Sequence, residues 1–296
     1  MDVIKGTNLE GIYPALITPF HPSGRVNEDA LRELVRINIK KGVTGFYVGG
    51  SSGEAFLLSQ EERKRILEVV VDETGGRLRI IAHIGCIGTE QTTGLGRHAM
   101  DIGVDAISAI TPFYYKLGFR EIREHYFTIA DTLQMPLIVY NFPANSGVEL
   151  TVENIADLYR NKFIIGIKHT STNLNQITRL KQLDARFLVL NGYDDLFLGG
   201  LAMGCDGAIG STFNFMAEKY LAIAQNFRKG KNREALVYQA EICEIVEALI
   251  KTEVLQGIRY ILGKQGIDCG LCRKPMRELD PVDFRILDQV YEKYLQ

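Results

Sequence analysis

Eight short apolar runs, set apart at fairly even intervals by amphipathic segments, constrain this chain more than any other feature. The runs are Ile12–Ile17, Gly45–Val48, Arg79–His83, Ala106–Ala109, Leu137–Tyr140, Ile164–Lys168, Phe187–Leu190 and Gly207–Ile209. Runs this apolar, with few polar breaks, read as strands covered on both faces, as in a parallel sheet. Between them lie helical patterns such as Asn27–Lys40, Ser59–Glu73, Glu90–Ile102, Phe119–Leu133 and Val152–Tyr159. Ser59-Gln60-Glu61-Glu62 and Thr151-Val152-Glu153-Asn154 supply capping residues, with acidic groups in the first turn. Thr151 is followed by Asn154 rather than Glu or Gln, so only the cap itself is expected there. Strict strand–helix alternation argues for an α/β fold. A count of eight favours a closed (β/α)8 barrel over an open sheet. The eighth run is the weakest, being short and glycine-rich.

From about Glu218 the β-runs stop. The remainder reads as helices over Lys219–Arg228, Arg233–Thr252, Val254–Leu262 and Pro281–Tyr294. The expected organisation is therefore a catalytic barrel over 1–217 and a C-terminal helical extension over 218–296, packed on it. A length of 296 residues suits one α/β barrel, for which ~250 residues is usual.

Composition excludes several functions. A net charge of −2 gives no electrostatic footprint for nucleic acid or an anionic membrane surface. No run of 18 apolar residues occurs, and Met1-Asp2-Val3-Ile4-Lys5-Gly6 has no apolar signal core, so a cytoplasmic protein is expected. Five cysteines at 86, 205, 243, 269 and 272 do not make a secreted disulfide framework. Cys269-Gly270-Leu271-Cys272 has redox or zinc spacing, but without a second pair or a nearby histidine it reads as a structural pair of thiols.

One run ends in a charge: Phe163-Ile164-Ile165-Gly166-Ile167-Lys168-His169-Thr170. Period-two alternation puts Lys168 on the side of Ile164 and Gly166, with His169 opposite. An ammonium there is costly unless it is paired or its pKa falls, and a lysine of depressed pKa is a nucleophile for carbonyl groups. The segment alone leaves open a second reading, a lysine that snorkels to water just past the strand.

The active site of such a barrel forms where strands end and loops begin. Strand two runs into Gly49-Gly50-Ser51-Ser52-Gly53-Glu54, whose N–H groups and hydroxyls can converge on a small anion. This loop lacks both the P-loop lysine and the dinucleotide glycine spacing. Strand five ends in Tyr140, a candidate proton shuttle, although a tyrosine at a barrel rim is commonly structural. Strand six ends in Lys168 and Thr170, strand seven in Gly192-Tyr193-Asp194-Asp195, and strand eight in Ser211-Thr212. Together these describe a pocket for a polyhydroxylated keto acid. Donors hold the acid, the lysine attacks the ketone and acceptors bind the tail. No His-x-His or His-Glu-x-x-His spacing occurs, which disfavours a metal-dependent aldolase. Asp194 and Asp195, two adjacent carboxylates without a third, read as hydrogen-bond acceptors. No metal and no cofactor is expected.

Five segments resemble the dihydrodipicolinate synthase / N-acetylneuraminate lyase family. They are Val48–Glu54, Thr111-Pro112-Phe113-Tyr114-Tyr115, Tyr140-Asn141-Phe142-Pro143-Ala144, Gly166–Thr170 and Gly207–Thr212, in the right order over nearly the whole chain. Asn191–Asp195 and Leu271-Cys272-Arg273-Lys274-Pro275 are similar to the N-acetylneuraminate lyase branch. The resemblance implies a class I aldolase on a (β/α)8 barrel, cleaving N-acetylneuraminate (sialic acid) to N-acetylmannosamine and pyruvate. It implies a Schiff base on Lys168 and proton transfer by Tyr140 at the C4 hydroxyl. Carboxylate binding would fall to Ser51 and Ser52, and contacts to the sugar chain to Thr170, Gly192, Asp194, Asp195 and Ser211. It further implies a homotetramer in which Tyr114 reaches into a neighbouring subunit's site.

Three positions depart from the family pattern. Ser52 stands where the lyase branch commonly has threonine, which keeps the donor. Asp195 stands in place of glutamate, and one methylene less draws the carboxylate back by roughly 1.5 Å. Asn145 occupies the place of the synthase arginine that binds a second carboxylate, and a neutral amide does not replace a bidentate guanidinium. Competing readings are another pyruvate-dependent aldolase, either the synthase or an enzyme for a different sugar acid, and a ligand-binding homologue without catalysis.

Overall fold

The computed structural model describes residues 8–296. Eight parallel strands alternate with helices: β1 (Gly11–Pro14), β2 (Gly45–Val48), β3 (Arg79–His83), β4 (Ala106–Ile110), β5 (Leu137–Asn141), β6 (Ile164–His169), β7 (Leu188–Asn191) and β8 (Gly207–Gly210). Their order around the sheet is β1-β8-β7-β6-β5-β4-β3-β2. The seam between β1 and β2 is closed by a parallel bridge from Ala15 to Tyr47, and by Leu16 N donating to Tyr47 O at 3.0 Å. The fold is thus the expected (β/α)8 barrel. The first strand ends at Pro14, which has no N–H for a ladder, and not at Ile17.

The helices between strands are α1 (Glu28–Lys41), α2 (Gln60–Thr74), α3 (Thr89–Asp101), α4 (Phe119–Leu133), α5 (Pro143–Ser146), α6 (Val152–Leu158), α7 (Asn175–Leu183) and α8 (Phe197–Ala202). Three of them start at side-chain caps. Asn27 accepts from Ala30 N, and Ser59 with Glu62 forms a capping box. Thr151 makes a full box too, because the Asn154 side chain accepts from Thr151 N at 3.1 Å, so the shorter amide does what Glu or Gln usually does.

After β8 come α9 (Phe213–Arg228), α10 (Asn232–Lys251), α11 (Val254–Lys264) and α12 (Pro281–Tyr294). Helix α9 starts six residues before the expected Lys219, is interrupted at Met216 (φ −134°, ψ 37°), and packs against β1 and α1. It spans position 217 and links the barrel to the helices that follow.

Two buried clusters alternate along the strands. Ile12, Phe46, Ile80, Ile107, Val139, Ile164, Ile167 and Val189 face the helices. Tyr13, Tyr47, Ile81, Ala106, Ile138, Ile165, Leu188 and Ile209 fill the barrel interior. Ile164 and Ile165 thus fall on opposite faces from those that simple alternation back from Lys168 predicts. The register explains it. Leu137 pairs with Ile164 but Ile138 pairs with Gly166, so β6 carries one extra residue there, a bulge that reverses the alternation below it. Above the bulge Ile167 packs outward and Lys168 points into the barrel.

Candidate active site

At the C-terminal end of the strands opens a cavity of about 860 Å³. Lys168, Tyr140, Ser51, Ser52, Thr170, Gly192, Asp194, Asp195 and Ser211 all line it, as does Asn145 of α5. Tyr114 does not. It lies in the β4–α4 loop, 83% exposed, its ring edge-on to Tyr115 at 5.2 Å, and with φ +82°, a conformation a bulky residue rarely adopts.

Lys168 is 5% exposed. Its Nζ lies 4.0 Å from the centre of the Tyr140 ring and 4.4 Å from that of Tyr47, and among the described residues no carboxylate is within ion-pair distance. Burial brings its pKa down from 10.5 to about 7, with the more distant Asp194 charge pulling the other way. The lysine does not snorkel. The bulge aims it inward, where much of the amine is neutral at physiological pH.

Behind it stands a set that sequence reading missed. Tyr47 and His83 have rings 6.2 and 5.9 Å from that of Tyr140, both edge-on or nearly so. Ile110 N donates to His83 Nε2 at 3.3 Å, so that nitrogen is the acceptor and Nδ1 carries the proton, donating to Gly49 O at 2.9 Å. Burial and the Arg63 guanidinium hold the His83 pKa well below its usual value. This neutral histidine anchors the first residue of the Gly49–Glu54 loop. The only sequence signal was parity: Tyr47 lies two residues from Gly45, on the inward face of β2.

Burial also pushes the Tyr140 phenol up to about 12, against the opposing influence of the Ser51 and Thr170 hydroxyls. Thr170 Oγ1 is buried and, apart from the Tyr140 phenol it faces, has no hydrogen-bond partner among the described residues. Gly192 sits so close to it that a Cβ would stand 1.9 Å from that oxygen, so glycine is required there.

Asp194 Oδ2 accepts from Thr212 N at 2.8 Å and Thr212 Oγ1 at 2.7 Å. Thr212 has one hydroxyl proton and gives it to the carboxylate, so Tyr220 donates to Thr212 at 2.6 Å. Burial raises the Asp194 pKa to about 6 despite those bonds.

The anion loop is tied down from the C-terminal helices. Ser51–Gly53 forms a 3₁₀ turn followed by Glu54 at φ +59°. The buried Glu54 carboxylate pairs with the buried Arg259 of α11 and accepts from Arg273 N at 2.8 Å. Arg259 also donates to Thr18 O (2.7 Å), while Thr18 Oγ1 donates to Gly53 O (2.8 Å). Cys269 and Cys272 lie against the same guanidinium: Cys269 gives its carbonyl oxygen at 2.5 Å and Cys272 its sulfur at 3.2 Å. That placement fits the structural reading of the pair. Leu249, Ile250, Val254 and Leu255 of α10 and α11 add apolar lining to the cavity.

A glycine–serine loop, a buried amine of lowered pKa, a phenol beside it and two carboxylates occupy one cavity. The arrangement suits imine chemistry on a keto acid. The sequence pattern of the dihydrodipicolinate synthetase family matches residues 8–287. The chain is 40% identical over 286 residues to an N-acetylneuraminate lyase of Shigella boydii, covering 96% of this chain and 95% of that one. In structure it is similar to CdNal of Clostridium difficile, solved in complex with mannosamine (TM-score 0.95, 36% identity, 98% and 100% of the two chains). It is similar also to an N-acetylneuraminate lyase of Fusobacterium nucleatum complexed with pyruvate (TM-score 0.92, 35% identity, 97% and 98% of the two chains). By sequence pattern, identity and fold together, the chain belongs to the dihydrodipicolinate synthetase family.

Proposed function

We propose that this protein is a class I aldolase cleaving N-acetylneuraminate to N-acetylmannosamine and pyruvate. The observation that carries the reading is Lys168: a buried amine with a pKa near 7, between two tyrosine rings and in one cavity with the Ser51–Ser52 loop. Relatives named N-acetylneuraminate lyase, at 40% identity over nearly the full length, support it.

The steps follow from the side chains. Ser51 and Ser52 hold the substrate carboxylate. Neutral Lys168 Nζ attacks the C2 ketone of the open-chain sugar, and loss of water leaves a protonated imine. The C4 hydroxyl proton passes to the Tyr140 oxygen as that phenol hands its own proton through the Ser51 hydroxyl to the substrate carboxylate; the C3–C4 bond breaks, the electron pair passes into the imine, and N-acetylmannosamine leaves as its aldehyde. The enamine gains a proton at C3, and water then hydrolyses the imine, releasing pyruvate and free lysine. Raised to about 12, the phenol keeps its proton at neutral pH, so it serves as a relay between the C4 hydroxyl and the carboxylate and not as a standing base. Thr170, Gly192, Asp194, Asp195 and Ser211 contact the sugar chain. Asn145 in the cavity favours this reading over the synthase, whose second carboxylate needs a cation.

The same reading takes the protein to be a homotetramer, with exposed Tyr114 completing a neighbour's site. Sedimentation should give four chains of 33.2 kDa, and a monomer at full activity would remove Tyr114 from the scheme. A catalytic unit over 1–217 with a packed extension over 218–296 is part of the proposal, α9 joining the two. No helix among the described residues is long and apolar enough to cross a membrane. The five free cysteines suit a reducing compartment, so we place the enzyme in the cytoplasm.

The test couples pyruvate release to a panel of sugar acids, with borohydride added to a second sample holding pyruvate. N-acetylneuraminate should release pyruvate, and the trapped adduct should map to Lys168. Release from another sugar acid alone would give the activity to that acid, with the shorter Asp195 as the cause. An unmodified Lys168 peptide would end the Schiff-base mechanism.

A further inference from the structure

Asp195 lines the cavity, and its main-chain carbonyl is held from outside the barrel. Its carbonyl oxygen accepts from two donors, both on α10: Gln239 Nε2 at 2.9 Å and, one helical turn on, Cys243 Sγ at 3.5 Å. Gln239 Nε2 also reaches Asp194 O at 3.5 Å, while Gln239 Oε1 accepts from Leu198 N at 2.8 Å. Leu198 N is a donor, which fixes the amide orientation and points the NH₂ at the two carbonyls. One buried primary amide thus joins the Asp194–Leu196 turn to the first residues of α8. Neither Gln239 nor Cys243 lines the cavity.

We propose that Gln239 is a specificity-determining positioning residue, setting where the Asp195 carboxylate stands along the sugar tail. The inference rests on the lyase reading above. Aspartate has one methylene and two side-chain torsions, so its carboxylate follows its own main chain closely, and a shifted turn is not recovered by rotamer change. The tie therefore matters more here than it would for a longer glutamate. A donor and an acceptor on one side chain of this length are what the geometry demands. Methionine has the length without the donor, and glutamate would set a charge against two carbonyl oxygens. The pyruvate end of the site, Lys168 with Ser51 and Ser52, stands on β6 and the β2 loop and makes no bond to Gln239. The two substrates of the reverse reaction should therefore respond differently.

The experiment runs the condensation of pyruvate with N-acetylmannosamine. Gln239→Met should raise KM for N-acetylmannosamine about tenfold, the loss of one or two neutral hydrogen bonds, and leave KM for pyruvate within about twofold, a negligible free-energy change on the same scale. On an Asp195→Ala background the same substitution should add little, because its effect passes through that carboxylate. Cys243→Ala removes one of the two donors at a partly exposed site and keeps the helix. It should raise the same KM to a smaller degree, and it carries the test if Gln239→Met does not fold. Equal rises in both KM values, no change in either, or a full additional loss on the Asp195→Ala background would overturn the inference. So would an unchanged KM in a folded Cys243→Ala variant when Gln239→Met is unfolded. A wild-type enzyme inactive on N-acetylneuraminate removes the lyase reading and this inference with it. An active wild type showing any of the contrary patterns removes the inference alone.

Discussion

Lys168 concentrates the cost and the use of this fold in one side chain. Its pKa of about 7 lies below the ordinary 10.5, so between those values the unfolded chain binds the proton and the folded chain does not. Folding stability contributed at this site therefore rises with pH across that window and is at its lowest below pH 7. Lys168→Met should abolish imine trapping and turnover, and should raise Tm by a few degrees at neutral pH, since an apolar side chain replaces a desolvated amine. A lower Tm would show that the contacts of the amine outweigh its desolvation. Catalysis should show an acid limb with an apparent pKa near 7, rate rising as the amine loses its proton. Asp194 holds the Lys168 pKa up, so Asp194→Asn should shift that limb to lower pH while weakening binding of the sugar. A limb that stays in place or moves upward in a pH profile of kcat/KM would assign it to another group.

At the scale of elements, β6 does the aiming. Strand patterning identified the run and left its lysine either inward or snorkelling to water, and it did not contain the bulge that puts Ile165, rather than Ile164, in the interior. A bulge is a relation between two strands, and no single-strand pattern contains it. Gly166 marks it: a Cβ there would stand 2.2 Å from Leu188 O, a backbone atom that cannot swing aside. Gly166→Ala should cost about 1–3 kcal/mol of stability and lower turnover by displacing Lys168, read by thermal unfolding beside kinetics. Gly94 of α3 has open space around a Cβ, and Gly94→Ala should be neutral or stabilising by up to ~1 kcal/mol. Equal effects from the two would argue against the close approach. The helices were legible from caps and periodicity. α5, α7 and α8 were not, since four, nine and six residues are too few to show a clear period.

For the whole molecule, the C-terminal helices are part of the site. Glu54 adopts a left-handed conformation at a cost of about 1–2 kcal/mol, and its carboxylate is held by Arg259 and Arg273 N from more than 200 positions further along the chain. Both side chains of the Glu54–Arg259 pair are essentially fully buried. Removing one partner leaves an uncompensated charge, so Arg259→Met should destabilise by about 3–5 kcal/mol and raise KM for pyruvate by loosening the Ser51–Ser52 turn. Adding Glu54→Leu should recover part of the stability but not the pyruvate KM. Chemical denaturation of the single and double variants checks this, and an unchanged midpoint in Arg259→Met would show that the pair contributes nothing.

Alternating apolar runs, their number and the residues at their ends were sufficient to read a (β/α)8 barrel and nine of the ten named site residues onto one cavity. These are local properties: strand periodicity, capping chemistry and the rule that such barrels react at the C-terminal ends of their strands. Tyr114 is the exception, exposed at the rim. What the sequence could not show is everything that needs two distant segments in contact. The His83 tautomer that holds Gly49, the Glu54–Arg259 pair and the Gln239 bridge each join groups at least 34 positions apart. The sequence by itself determined the strand–helix alternation and which candidate residues stand at the strand ends. Only the tertiary structure decided how deeply Lys168 is desolvated and what holds its neighbours in place, because burial and long-range hydrogen bonds exist only once the chain has closed on itself.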